Sequence, residues 1–285
     1  MAIIVNTNMP ALRTQANLNK ATNGLNSALE RMSTGLKINS AKDDAAGLYV
    51  ATKMETQIRG NKVAQNNIAT ASNVLSTAEG DLDTILGHLN RIRDLAVQAS
   101  NSVYDADSKE AMNKEVQARL EEIDRIAKVS NFNGLHLLSD EAVNIDTLRV
   151  QVGANQEATA NAIFVTGVFG SASSDTLGIK AGAENAFTNA DCTNAATYIG
   201  TVDTAIKTIS TRKSAIGAVQ NRLDAALDSL TTTIENATAS KSTIMDADIA
   251  TESMEFTRQQ ILQQTSSALL AQANQLPAIA LNLIQ

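Results

Sequence analysis

Ten small or branched apolar residues, Ile68, Ala71, Leu75, Ala78, Leu82, Ile85, Leu89, Ile92, Ala96 and Ala99, follow one another at alternating steps of three and four. A repeat averaging 3.5 keeps all of them on one side of a slightly underwound helix, which is the pattern of a coiled-coil seam. No proline interrupts it, because the two in the chain, Pro10 and Pro277, lie near the ends. The spacing predicts one helix from about 43 to 100, roughly 85 Å long at ~1.5 Å per residue.

Three further stretches carry heptads. After Pro10, Leu18, Leu25 and Met32 recur at one heptad position and Leu29 and Leu36 at another. From about Thr193, Ile199, Val202, Ile206, Ile209, Ile216, Leu223, Leu227, Leu230 and Ile234 continue a second long register, with Lys213 and Gln220 as polar breaks. The last stretch has no charged side chain after Arg258, yet Leu262, Leu269, Leu276 and Leu283 recur every seventh residue. A surface helix would carry charge on its outer face. A membrane helix needs about 20 mostly apolar residues, and the Gln, Ser and Asn between Gln263 and Gln275 rule that out. Such a helix wants protein on most of its sides.

Between these stretches lie joints. In "STGLKINSAKDDAAGL", Gly35 and Asn39 loosen the helix, and Ser40 with Asp43 resembles a capping box that puts Asp43 and Asp44 in the first turn. A second joint falls in "ATASKSTIMDADIATE", with Asp246 and Asp248 as its capping carboxylates. Asp107 with Glu110 starts a helix to about 129, with Met112, Val116, Leu120 and Ile123 inward. "NFNGLHLL" reads as a turn followed by a short apolar strand or cap. "DTLRVQVG" and "NAIFVTG" alternate with period two and predict a small β-hairpin at about 145–168. From Ser171 to Cys192 no period persists, and the segment reads as a short solvated connection.

The expected fold is therefore mainly α: a long antiparallel helical hairpin or bundle with heptad seams, a terminal two-helix coiled coil and a small central hairpin. Residues 1–40 with 245–285 make the terminal domain, 41–170 with 193–244 the long-helix domain, and 171–192 the connection. The seam residues expected to hold the second are Ile68, Leu75, Leu82, Ile85, Leu89, Ile92, Ile206, Ile209, Ile216, Leu223, Leu227 and Leu230. The terminal pair cannot hide two seams and an uncharged outer face, so self-association through both termini is expected.

Composition narrows function by exclusion. A net charge of −7 argues against a nucleic-acid partner, which needs clustered Lys and Arg. The single cysteine, Cys192, excludes an internal disulfide framework and reads as a small tolerated side chain. His88 and His136 stand outside any His-Glu-x-x-His pattern, so no metal or other cofactor is expected. The paired carboxylates Asp43 and Asp44, and Asp246 and Asp248, are accounted for by capping, and no constellation for catalysis is present. A chemoreceptor-like helical hairpin would need membrane spans, which no window supplies. The N-terminus lacks a basic leader and a full apolar segment, so the residues alone read as cytoplasmic.

"ALERMSTGLKINSAKDDAAGLYVATKMETQIRG" (Ala28 to Gly60) and "DADIATESMEFTRQQILQQTSSALLAQANQLP" (Asp246 to Pro277) resemble the two most characteristic blocks of the bacterial flagellins. "LNRIRDLAVQASN" and "RLEEIDRIAKVSNFNG" resemble further motifs of that family. The resemblance covers about 1–140 and 195–285. It implies a subunit that leaves through the flagellar type III apparatus without a cleaved signal, against the cytoplasmic reading, and polymerises into the hollow helical propeller of swimming cells. It implies itself as main partner, with an export chaperone and junction and cap proteins as others, and neither nucleic acid nor membrane. The short middle implies a minimal form without large outer domains. The family's toll-like receptor contact maps onto Arg91, Leu95 and Glu115. The ring-forming hook–filament junction protein, similar at both ends, is the alternative. Some members carry sugars on a Ser/Thr-rich middle, here Ser171 to Thr201.

Overall fold

The structure, a computed structural model, describes residues 7–139, 147–187 and 193–282. Leu283 and Cys192 lie outside the described residues, as does the side chain of Leu276. In chain order the elements are α1 (Met9–Thr34), α2 (Ala45–Ala99), α3 (Ala106–Val129), β1 (Asn131–Phe132), β2 (Leu135–His136), β3 (Thr147–Gln151), α4 (Ala158–Asn161), β4 (Ala162–Thr166), α5 (Lys180–Ala186), α6 (Thr193–Met245) and α7 (Ile249–Asn282). The protein is mainly α. It divides into two compact units, Ile58–Ile234 and Met1–Gln57 with Glu235–Gln285.

In the Ile58–Ile234 unit, α2, α3 and α6 pack along one another. The α2 seam supplies Ile68, Leu75, Leu82, Ile85, Leu89 and Ile92, all at most 1% exposed. From α3 come Val116, Leu120 and Ile123; from α6, Val202, Ala205, Ile209, Ile216, Leu223 and Leu230. Cross-helix side-chain pairs give the direction: Arg93 Nε to Asp203 at 2.6 Å, Lys213 to Asp83, Gln220 to Glu79 at 3.2 Å and Gln65 to Thr231 at 2.9 Å. Numbers rise on α2 as they fall on α6, so the two run antiparallel.

The buried register on α6 sits one residue from the predicted one in places. Ile206 and Leu227 are half-buried flanks of the cluster, while Ala205 is buried and Ala226 packs beside Leu227. Arg212, not Lys213, takes the inward polar position. Its Nη1 donates to the carbonyls of Gly170 and Ser171, both at 2.9 Å, and burial lowers its pKa. Lys213 and Gln220 line the flank, where they reach Asp83 and Glu79.

Two short antiparallel pairs close this unit. In one, β1 and β2 pair Asn131 with His136 and Phe132 with Leu135. In the other, β3 and β4 pair Thr147 with Thr166 through Gln151 with Ala162. Asp105, not Asp107, caps α3, accepting from the Ser108 N–H at 3.0 Å; Asp107 sits inside the first turn.

The segment from Ser171 is not a solvated connection. Val168, Phe169, Ala172, Ser174, Ile179 and Ala183 are buried in the core cluster or beside it. Ser174 donates both its N–H and its hydroxyl to Asp124, at 2.7 and 2.9 Å, and the N–H groups of Gly170 and Ala172 bond the carbonyls of Leu137 and Leu138. Irregular backbone can be buried when its polar groups find such partners. That pairing leaves no periodicity for a sequence to show.

Candidate self-assembly surface

In the other unit, α1 and α7 form an antiparallel pair. Asn8 caps α1, its Oδ1 accepting from the Ala11 N–H at 3.2 Å, and Pro10 follows in the first turn, where a missing N–H costs nothing. Across the pair, Asn8 Nδ2 donates to the Ala273 carbonyl at 2.8 Å, and Gln263 Nε2 reaches Thr22 Oγ1 at 3.3 Å. Arg31 pairs with Glu252 at 3.0 Å. Gly24 lies under the Gln259 amide: a Cβ there would stand 2.8 Å from the Gln259 side-chain carbon.

The residues turned inward mix small, amide and larger apolar side chains. On α1 they are Ala21 and Ala28, flanked by half-buried Leu18, Leu25 and Met32. On α7 the inward line runs Glu252, Phe256, Gln259, Gln263, Ser266, Leu270 and Ala273, again at steps of four and three. Leu262 and Leu269 of the leucine row expected to form the pair's seam lie elsewhere. Leu262 is 41% and Leu269 56% exposed, and Met254 and Ile261 extend the same bare strip. Leu29 is likewise exposed on α1, and Leu36 lies past its end. The physical reason is that Ala21, Gly24 and Ala28 let the helices approach closely, and the α7 face that meets them carries Gln259, Gln263, Ser266 and Ala273 between the larger Phe256 and Leu270. The signal that finds this seam is the spacing of Ala21, Gly24 and Ala28, which a search for large apolar residues passes over.

The joints are short and tied together. Gly35 ends α1 in the left-handed region at φ 70°, donating to the Arg31 carbonyl at 2.9 Å. Leu36 then pairs with Asp246 as an antiparallel bridge; the Lys37 N–H bonds the Met245 carbonyl at 2.6 Å and the Ala247 N–H the Gly35 carbonyl at 2.9 Å. The capping carboxylates stand before their helices instead of inside the first turn. Asp44 caps α2, accepting from the N–H groups of Ala46 and Gly47 at 3.0 and 2.9 Å. Asp43 closes the preceding turn on Ser40, whose hydroxyl and N–H hold its pKa low. Asp248 caps α7 through the Ala250 N–H and the Thr251 hydroxyl, which lowers its pKa, and Asp246 accepts from Ser242 at 2.6 Å. Lys241 adds an ion pair with Glu55 at 2.6 Å.

On the Ile58–Ile234 unit, Arg91 of α2 and Glu115 of α3 face each other at 3.0 Å, and Arg119 shares the same carboxylate at 2.9 Å. The two guanidinium groups, Arg91 first, hold the Glu115 carboxyl below its usual range, and Glu115 raises the pKa of Arg91. His88 lies against Arg119, its Nδ1 3.4 Å from Nη1. Leu95 does not share this surface. It is 2% exposed, part of the α2 seam beneath.

Among the described residues no group of His, Cys, Asp and Glu is placed to hold a metal ion, and no helix is long and apolar enough to cross a membrane. Two terminal helices that pair through a narrow seam, with an apolar strip left outward, define a helical structural protein.

Comparison with known proteins identifies which. The descriptions "Bacterial flagellin N-terminal helical region" and "Bacterial flagellin C-terminal helical region" match residues 5–143 and 199–284. The chain is 41% identical to a flagellin of Halalkalibacterium halodurans, covering 99% of this chain and all of the relative. It is 36% identical to a flagellin of Bacillus subtilis, with 99% of each covered. A putative flagellar hook-associated protein from Vibrio parahaemolyticus superposes with a TM-score of 0.60 over 71% of this chain and 99% of that one, at 14% identity, a likeness of fold alone. The chain belongs to the bacterial flagellin family and is a structural subunit of the flagellar filament. Nothing in these matches favours the junction protein.

Proposed function

We propose that copies of the chain join through their terminal helices, so that α1 and α7 line the inside of a hollow filament. One observation carries this reading: the strip of Met254, Ile261, Leu262 and Leu269 stays in water on a helix with no charge beyond Arg258. Exposed apolar residues grouped along one helix face mark a protein contact. Arg258, which borders the strip beside Met254 and Leu262, is paired with Glu255 at 3.1 Å, so a neighbouring copy can cover the strip without burying unpaired charge. A contact that is not self-complementary, repeated by a rotation that does not close a ring, builds an open helical polymer. Electron microscopy of negatively stained protein after salting out tests the reading. The full chain should give long filaments and a chain ending at Gln260 none; equal assembly by both would refute it.

The same reading includes delivery by the flagellar type III route without cleavage, with an export chaperone, and junction and cap proteins at the filament's two ends. The resemblance of the terminal blocks supports it, and an intact N-terminus on the exported chain is the corresponding check. It also includes recognition by a toll-like receptor at Arg91 and Glu115, supported by their exposed, mutually oriented ion pair. Leu95, buried in the core cluster, enters only through the fold.

A further inference from the structure

The chain contains two Asn-Gly steps, Asn23–Gly24 and Asn133–Gly134. This dipeptide is the most prone to deamidate, because glycine has no side chain to shield its backbone nitrogen from the neighbouring asparagine's carboxamide. The structure treats the two steps in opposite ways.

Asn133 and Gly134 are the two turn residues between β1 and β2. Both have positive φ, 50° and 80°, the two-residue hairpin turn that Asn-Gly favours. Among the described residues Asn133 is the one non-glycine residue with positive φ. Both are exposed, and a Cβ at Gly134 would meet nothing within 4 Å. The ladder has two residue pairs, followed by one bond from the Leu137 N–H to the Ser130 carbonyl, so its exposed tip opens easily. Asn23–Gly24, by contrast, sits in the middle of α1, where the peptide nitrogen is engaged in the helix and the Gly24 face is covered by Gln259.

We propose that Asn133 is a site of spontaneous deamidation and isoaspartate formation, and that α1 protects Asn23 from the same reaction. The deprotonated Gly134 nitrogen attacks Asn133 Cγ, forming a C–N bond and closing a succinimide. The carboxamide nitrogen leaves as ammonia, taking up the protons released. Water then opens the ring at either carbonyl, giving aspartate or isoaspartate; no electrons change hands. In isoaspartate the main chain runs through Cβ and Cγ and is one atom longer. That extra atom falls between Ser130 and Leu137, both buried and joined by the Leu137 N–H to the Ser130 carbonyl at 3.1 Å. Ser130 is further fixed by its hydroxyl donating to Asp81 at 2.5 Å, and Leu137 and Leu138 are fully buried. The product therefore strains the attachment of the hairpin to the helical core.

The test is peptide mapping by mass spectrometry, with enzymatic methylation to count isoaspartate, on full-length protein aged at mildly alkaline pH. In the folded chain, the Asn133 peptide should convert about tenfold or more faster than the Asn23 peptide, the difference reflecting local opening. In urea the two should convert at similar rates. Asn133→Gly, which the turn accommodates, should remove most of the isoaspartate while leaving helicity unchanged. Equal rates at the two steps in the folded chain, an Asn133 that keeps its amide, or undiminished isoaspartate in Asn133→Gly would overturn the proposal.

Discussion

Leu262→Ala with Leu269→Ala separates the contact α7 makes inside the chain from the one it makes outside. The two leucines are 41% and 56% exposed, so together they leave about one leucine's worth of apolar surface in water. Covering one leucine side chain is worth about 1.5–3 kcal/mol. Alanine retains part of that, so the double change should cost assembly about 1.5–2 kcal/mol per subunit beyond any cost already present in the monomer. At about 1.4 kcal/mol per factor of ten, the critical concentration for polymerisation should rise roughly 10- to 30-fold. Helicity and the melting of the Ile58–Ile234 unit should be unaltered, since neither leucine belongs to its core. The assay is sedimentation of polymer over a concentration series, with circular dichroism of the monomer beside it. An unchanged critical concentration would show that the strip is not a subunit contact, and the proposed arrangement of α7 would fail with it.

Arg91→Ala and Leu95→Ala should part company. The first should lower toll-like receptor signalling in a reporter assay without measurably lowering thermal stability, because Arg91 and Glu115 form an exposed ion pair that solvent screens. The second empties a fully packed seam position and should cost about 2–5 kcal/mol in denaturant unfolding, so any loss of signalling there follows from the fold. Acid should destabilise the chain through Glu115, Asp43 and Asp248, whose folded pKa values all lie below their ordinary ones. In the unfolded chain these carboxyls take up protons first, at about pH 4, so their contribution is full above that range and is lost as pH falls through the folded values. Unfolding followed by circular dichroism across acid pH should show this loss, and Glu115→Gln should lessen it; a stability that rises on acidification would contradict the ion-pair geometry.

Much of the helical architecture was legible in the chain. The α2 seam from Ile68 to Ala99 buries as its spacing requires, because an uninterrupted three-four repeat allows only one face of a helix to be apolar. Absence of proline between Pro10 and Pro277 permitted helices as long as α2 and α6. Period-two alternation found β3 and β4, and the flagellin resemblance rested on blocks readable without any structure.

Tertiary structure decided which of several permitted faces is used. On α7 both the leucine row and the line Phe256, Gln259, Gln263, Ser266, Leu270 and Ala273 have heptad spacing. Hydrophobicity alone favours the leucines. The α1 surface facing it, with Ala21, Gly24 and Ala28, meets instead the line in which Gln259, Gln263, Ser266 and Ala273 lie between Phe256 and Leu270. The same holds for Ser174 and Arg212, whose burial depends on Asp124 and on the carbonyls of Gly170 and Ser171, partners remote in sequence. Periodicity fixes what a helix can bury, a property of one segment; what it does bury depends on the shape and hydrogen-bonding groups of the segment it meets.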